Sequence, residues 1–181
     1  MLREASATEC IKRFRVPQRV VLATSVKPDG SPNALALGWK MQTSHEPPMV
    51  AISIGFSRYS HDLIADSGEF VLSVPPASLA DAVFYIGTKS GRDADKFAET
   101  GLTPLPATKV KAPLIGECLV NLECVVEGKL ASGDHTIFAG RVVAGHVSDD
   151  ADCPLLIVSG EDCYETTGGS ERYRLGRVRA Y

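Results

Sequence analysis

The sequence predicts a mainly β protein, an antiparallel barrel of about six strands interrupted by short helices. Three observations predict it. Two apolar runs, residues 19–26 and 31–39, flank a Lys27-Pro-Asp-Gly30 turn, the pattern of a β-hairpin. An alternating segment over residues 119–130 is followed by a Gly133-Asp134 turn and a second apolar run over residues 136–147, which predicts a long antiparallel pair. Strands thus stand toward both ends of the chain and are joined by local hairpins, unlike the strand–helix alternation of a parallel sheet. No GxGxxG follows a strand and no GxxxxGK[ST] occurs, so the nucleotide-binding folds those motifs mark are not supported.

In the first hairpin Gly30 supplies a positive φ without a Cβ clash. His45-Glu-Pro-Pro48 reads as a loop, because paired prolines cannot continue a ladder. Residues 49–56 form the next strand, with Val50, Ile52 and Ile54 on one face. Ser57-Arg-Tyr-Ser60 then opens a short helix in which Tyr59 and Leu63, and Ser60 and Ile64, lie one turn apart. Ser67-Gly68 ends it, and residues 70–74 return as a strand. Two helices follow. One covers residues 77–86, carries Leu79, Val83 and Ile86 on a stripe and stops at Gly87. The other covers residues 93–100, has its capped start at Asp93, carries Phe97 and stops at Gly101. A connection through Pro104, Pro106 and Pro113 leads to the second hairpin. There Val120, Leu122, Cys124, Val126 and Leu130 face one way, and Asn121, Glu123, Glu127 and Lys129 the other. Residues 155–158 add a short strand.

A length of 181 residues with 44% hydrophobic and 23% charged residues fits one globular domain over residues 1–181. Its core covers about residues 16–158, with an Arg-rich tail over residues 165–181. The net charge of −3 argues against a nucleic-acid partner. No apolar run is long enough for a bilayer, and the first residues mix acids and bases rather than forming a secretory signal, so a cytoplasmic location is expected. The five cysteines, Cys10, Cys118, Cys124, Cys153 and Cys163, are odd in number and lack CxxC spacing. Free buried or half-buried thiols are expected, without a disulfide framework or zinc site. Cys153 and Cys163 could also form a redox pair.

The histidines His45, His61, His135 and His146 show no HExxH or paired ligand spacing, and GxSxG is missing. Ser57, Arg58, Tyr59 and Ser60 stand between a strand and a helix. Free N–H groups, two hydroxyls and an arginine there suit a phosphate; the alternative is an ordinary helix cap with a surface arginine. The polar run Thr88-Lys-Ser-Gly-Arg-Asp-Ala-Asp-Lys96 is a solvated loop, or else brings Lys96, Lys89 or Arg92 to an anionic ligand. His135 heads a strand as a turn residue, or else meets a cofactor edge. Trp39 is a core, interface or cofactor residue. Arg172, Arg174, Arg177 and Arg179 form a solvated end or a strap across a partner.

Taken together, these segments resemble the flavin reductase-like family, and within it the flavoredoxin type. The carrying motifs are Asp29-Gly-Ser-Pro-Asn-Ala34 with Trp39, Pro47-Pro48, Ser57-Arg-Tyr-Ser60 with Leu63-Ile64, Ser90-Gly-Arg-Asp-Ala-Asp-Lys-Phe97 before Thr100-Gly-Leu-Thr-Pro104, and Gly133-Asp-His-Thr-Ile-Phe-Ala-Gly140. They fall in order over about residues 16–150. The resemblance implies a Greek-key split barrel that binds FMN and dimerises, with flavin near the subunit interface. It implies that Asn33, Ala34, Leu35 and Ala36 line the isoalloxazine with backbone groups, and that Trp39, Met41 and Thr43 sit on the loop beside the ring. Ser57, Arg58 and Ser60 would hold the phosphate end, joined by Lys96, and Tyr59 would also bind the cofactor. His135, the catalytic candidate, would lie near the ring or the nicotinamide. Two departures stand out. Many relatives carry Thr at the position of Ala36, and Lys40 puts a cation beside Trp39, where it could stabilise reduced flavin. The implied activity is hydride transfer from NADH or NADPH to FMN, with electrons passed to free flavin, a metal complex or a partner protein. The alternative is an electron carrier that holds FMN tightly and does not use nicotinamide. A non-catalytic barrel for another cofactor, such as haem, is a third class.

Overall fold

The computed structural model describes residues 2–150, 153–160, 163–166 and 172–173, with side chains through residue 159. It opens with helix α1 (Ala7–Phe14), capped by Ser6 accepting from Glu9 N and burying none of its residues. Strands β1 (Gln18–Arg19), β2 (Val21–Val26), β3 (Pro32–Leu37), β4 (Lys40–Ser44) and β5 (Met49–Gly55) lead to α2 (Tyr59–Ser67) and β6 (Glu69–Val74). A 3-10 turn (Ala77–Leu79) precedes α3 (Ala80–Thr88) and α4 (Lys96–Thr100). Then come β7 (Pro104–Leu105), β8 (Leu114–Ile115), β9 (Val120–Ser132), β10 (His135–Val147), β11 (Leu156–Gly160), β12 (Cys163–Thr166) and β13 (Arg172–Tyr173).

The main sheet has seven strands in the order β3-β2-β6-β9-β10-β5-β4, all pairs antiparallel. The smaller ones are β1-β11-β12-β13 and β7-β8. Both hairpins expected from the sequence form, the first turning at Gly30 with φ +84 and the second joining β9 to β10. Ile52 and Ile54 are buried and Val50 packs against the same cluster. Leu35, on one edge strand, shares that cluster with Ile52, which neighbours the other edge, and with Leu72, Cys124 and Phe138. The sheet therefore curls around one apolar interior. Phe70 and Phe138 are fully enclosed there, each worth about 2–3 kcal/mol of burial. On the outer face, Leu22, Ala34 and Ala36 pack under Val83 and Ile86 of α3 and Phe97 of α4. A third cluster sets Val71 against Val110, Ala112 and Leu114 of the proline-rich connection.

Several expectations need correction. The main sheet has seven strands rather than six, because residues 40–44 pair with β5. That segment carries no strong strand pattern, and the ladder with β5 supplies what propensity does not. Helix α3 runs through Gly87 to Thr88, whose hydroxyl bonds back to Phe84 O and Tyr85 O. The cap of α4 is Asp95, not Asp93; it accepts from Phe97 N and Ala98 N. The helices do end at Gly68 and Gly101 as expected. Cys10 is exposed, whereas Cys118 and Cys124 are buried, which pushes both thiols up to about 12. Leu130 is 63% exposed, since the tip of the second hairpin projects beyond the core. The side chain of Cys163 and most of the Arg-rich tail lie outside the described residues. Among the described residues, no helix is long and apolar enough to cross a membrane.

The second face of β9 is the largest departure. Asn121 and Glu123, expected opposite the apolar row, are both buried. The proline-rich connection crosses this face, and its backbone groups need partners once water is removed. Asn121 accepts from Ile115 N and Ser73 Oγ and donates to Ile115 O. Glu123 accepts from Thr108 N and Oγ1, Lys109 N and Val110 N, and faces His146 Nε2 at 2.7 Å. Burial alone would raise the pKa of Glu123, but the bonds from Thr108, His146 and Lys109 outweigh it and hold it at about 2. Its folded pKa lies below the unfolded value, so this stabilisation is full above about pH 4.5 and is lost as pH falls toward 2. Glu123→Gln should cost about 2 kcal/mol near neutral pH. It should also flatten the fall in thermal midpoint between pH 4.5 and 2. Melts across that range would refute the clamp if wild type and variant fell in parallel.

Candidate functional site

A cleft of about 550 Å³ opens between the start of α2 and the segment joining α3 to α4. Ser57, Arg58, Tyr59 and Ser60 form one wall, and Lys89, Ser90 and Gly91 the other. The strand β5 ends at Gly55, and a turn donating Arg58 N to Gly55 O brings the chain into α2. No side chain caps α2: Arg58 occupies the cap position in extended geometry without such a bond. A nine-residue helix thus presents its N-terminal N–H groups and positive dipole end beside two hydroxyls.

Asn33 fixes this corner from below. It is buried, and its Nδ2 donates to Ser60 Oγ at 2.8 Å and Ser25 Oγ at 3.1 Å. One amide thereby joins β3 to β2 and to the first turn of α2. Its Oδ1 is buried without a hydrogen-bond partner. Gly91 explains the crowding: a Cβ there would stand 2.0 Å from Asn33 Oδ1 and 3.4 Å from Tyr59 Cδ1. Only glycine permits this approach of the loop to β3.

Lys96 is 4% exposed yet borders the cleft. Its Nζ donates to Ala34 O at 2.8 Å and Ile86 O at 2.9 Å, bracing β3 against α3. Burial, and then the charges of Arg58 and Lys27, lower its pKa to about 8. Arg58, Lys89 and Lys96 outnumber Asp93 and Glu99 among the charged residues of the lining. Cationic groups, hydroxyls and a helix start without a side-chain cap, converging on one cleft, suit a phosphate.

Of the residues expected at a flavin site, Leu35, Ser57, Arg58, Tyr59, Ser60 and Lys96 line the cleft directly. Asn33 and Ala34 touch it through Ser60 and Lys96. Ala36 is buried beneath Gly87, whose Cβ position is 3.5 Å from that of Ala36. Trp39 and His135 form a separate pair, with ring centroids 4.6 Å apart. His135 Nδ1 lies 2.6 Å from Asp134 Oδ1, and Phe56 N donates to Asp134 O. The pair therefore sits beside the β5–α2 connection that leads into the cleft. Met41 and Thr43 lie on β4 rather than on a loop, both exposed. Lys40 does not line the polar cleft. Its Nζ donates to Arg19 O at 2.5 Å, and it borders an apolar cavity of about 450 Å³ with Met41, Leu72 and Leu122. Arg92, a second expected ligand of an anion, does not line the cleft either. Tyr85, Gly91 and Glu99 line it without having been singled out; a glycine inside a polar, charged run was the available signal for Gly91.

A protein of Archaeoglobus fulgidus is 41% identical over 112 residues, covering 62% of this chain and 63% of that one, so the match spans under two thirds of the relative. A flavin reductase (NADH) of Kitasatospora aureofaciens is 28% identical over 141 residues, covering 78% of this chain and 72% of that one. The crystal structure of flavoredoxin from Methanosarcina acetivorans superposes with a TM-score of 0.80 at 25% identity, covering 94% of each chain. The flavin reductase like domain family matches residues 13–166, most of the length, and the chain belongs to that family.

Proposed function

We propose that the protein is an FMN-binding oxidoreductase that takes hydride from NADH or NADPH and passes the electrons to free flavin, a metal complex or a partner protein. The observation that carries this reading is the cleft itself, where the uncapped start of α2, Ser57, Ser60 and Arg58 face Lys89 and Lys96. That donor set fits the phosphate of FMN.

A bound flavin would supply the hydride acceptor. Ser57, Ser60 and the first N–H groups of α2 would hold phosphate oxygens, and Arg58 and Lys96 would balance their charge. Asn33, Ala34, Leu35 and Ala36 of the edge strand β3 would line the ring with backbone groups beyond their pairing with β2, apart from Ala34 O, which Lys96 already holds. Trp39 and His135 offer a flat surface near the end of β5. Asp134 holds His135 Nδ1, leaving Nε2 to meet the ring or the nicotinamide. A hydride carries its own electron pair, so these residues need orient the reactants and exclude water, with no acid–base dyad. Trp39, Met41 and Phe56 are exposed, which suits cover by a second copy in a cytoplasmic homodimer. A second reading, favoured by the likeness to flavoredoxin, is a carrier that holds FMN tightly and receives electrons from another protein.

Anaerobic titration separates the two. Purified protein loaded with FMN should lose its flavin absorbance rapidly on addition of NADH or NADPH. Tight FMN without bleaching would favour the carrier, and no FMN binding would overturn both. Arg58→Ala should weaken FMN by about 10- to 100-fold while affecting riboflavin far less; an equal loss for both ligands would remove Arg58 from the phosphate end.

Lys96 adds a pH dependence. Its charge is present below about pH 8 and lost above it, so FMN affinity should fall several-fold between pH 7 and 9.5. Lys96→Met should bind more weakly at pH 7 and show a flat profile. A variant that kept the wild-type slope would assign the titration to another group.

A further inference from the structure

The segment of residues 88–94 forms one wall of the cleft through Lys89, Ser90, Gly91 and Asp93. Arg92 lies inside that run but does not line the cleft. It reaches α2 instead. Its Nη2 donates to Asp62 Oδ2 at 3.0 Å, and its guanidinium carbon stands 4.7 Å from the centroid of the Tyr59 ring. Tyr59 is itself a lining residue of the opposite wall. Asp62 is braced in turn: its Oδ1 lies 3.2 Å from His61 Nδ1, and His61 Nε2 lies 2.9 Å from Thr136 Oγ1 on β10.

We propose that Arg92 is a latch. It fixes the 88–94 wall to α2 and so sets how long a phosphate-bearing ligand stays in the cleft, without touching that ligand. The inference rests on the reading of the cleft as a phosphate site. Most of the wall is solvent-facing: Thr88, Lys89, Arg92 and Asp93 are exposed, and only Gly91 is buried. Within the loop, Ser90 accepts from Arg92 N and Asp93 N, which shapes the turn but does not attach it to α2. The attachment comes from Gly91 seated on Asn33 and Tyr59 and from Arg92 clasping Asp62 and Tyr59. A guanidinium is suited to this double contact, because its plane stacks on an aromatic face while an edge N–H meets a carboxylate. A wall already held in place need not be ordered when ligand enters, and a wall freed from α2 can swing aside and let the ligand leave sooner. Arg92 is a positioning residue, and it acts through the loop it carries.

The test compares FMN with riboflavin, which lacks the phosphate, in wild type, Arg92→Ala, Arg92→Lys, Asp62→Asn and the double variant Arg92→Ala/Asp62→Asn. Equilibrium titration and stopped-flow release would follow flavin fluorescence. FMN release should accelerate about 3- to 10-fold in Arg92→Ala, the size expected for a partly exposed ion pair plus a stacked cation. Asp62→Asn should also accelerate it, and the double variant should be no faster than Arg92→Ala. Arg92→Lys, which keeps the charge but not the planar stack, should fall between. Riboflavin affinity and the thermal midpoint of the flavin-free protein should stay at wild-type values.

Unchanged FMN release, equal effects on FMN and riboflavin, or additive effects of the two substitutions would overturn the latch. Tighter FMN binding by Asp62→Asn would overturn it too, since an arginine freed from Asp62 would then be a direct phosphate ligand. A wild-type protein that binds no FMN would overturn the phosphate reading of the cleft and the latch with it, whereas wild-type binding with unaffected variants would overturn the latch alone.

Discussion

The site depends on the side chain of Asn33. Its amide nitrogen is sealed from water and divided between Ser25 on β2 and Ser60 in the first turn of α2. These bonds set where α2 begins relative to the sheet edge, and that start is what the cleft offers to an anion. The same residue receives Gly91 from above, at a distance no Cβ allows. Its Oδ1 is left without a partner, an arrangement that costs about 1–3 kcal/mol of desolvation. Tight packing of the loop onto β3 is the gain set against that cost. Lys96 completes the corner by bonding Ala34 O and Ile86 O, so that strand, helices and loop meet on two buried polar side chains.

A second buried polar centre, Glu123, is built in the opposite sense. Glu123 is a fully enclosed carboxylate whose environment favours its charge, with several donors converging on it. Lys96 is a nearly enclosed amine whose environment disfavours its charge, through burial and two neighbouring cations. A group satisfied by the protein gains little from any further ligand. A cation held near other cations gains much from an anion placed among them. The contrast marks Glu123 as a clamp for the proline-rich connection and Lys96 as a brace whose charge only two backbone carbonyls face. The same contrast separates residues 119–130, whose buried polar side chains are used up internally, from the cleft, whose lining includes the exposed Lys89.

Much of this was legible in the sequence, and the failures share a cause. The hairpins at Gly30 and Gly133, the start of α2 at Ser57-Arg-Tyr-Ser60 and the glycine ends of α2 and α4 follow from local pattern, and each is present. Local pattern failed where a distant segment supplies the partner. Residues 40–44 become a strand because β5 lies alongside them. Asn121 and Glu123 become buried because the proline-rich connection folds across them, and alternation alone cannot tell a solvated face from one covered by a later segment. Gly87 does not stop α3, which runs on to Thr88, where the threonine hydroxyl bonds back to Phe84 O and Tyr85 O. The cleft was half legible for the same reason. The α2 wall could be read from one short motif, but the direction of Arg92, away from the cleft and toward Asp62, is set by a residue thirty positions earlier in the chain.

The polarity of the site is unevenly distributed. The donors and cations gather at one end, around Ser57, Arg58, Ser60, Lys89 and Lys96. The surface near the end of β5 is formed by an indole, an imidazole and the phenyl ring of Phe56, which meets His61 edge-on at 5.3 Å. Strong electrostatic binding at a remote phosphate can fix a ligand without spending polar groups at its reacting end. The far end is then free to offer flat rings, as Trp39 and His135 do here. A site organised this way depends on accurate walls. The buried ties at Asn33 and Lys96 and the exposed tie at Arg92 all act on the walls of the cleft, and the precision of this site is concentrated there.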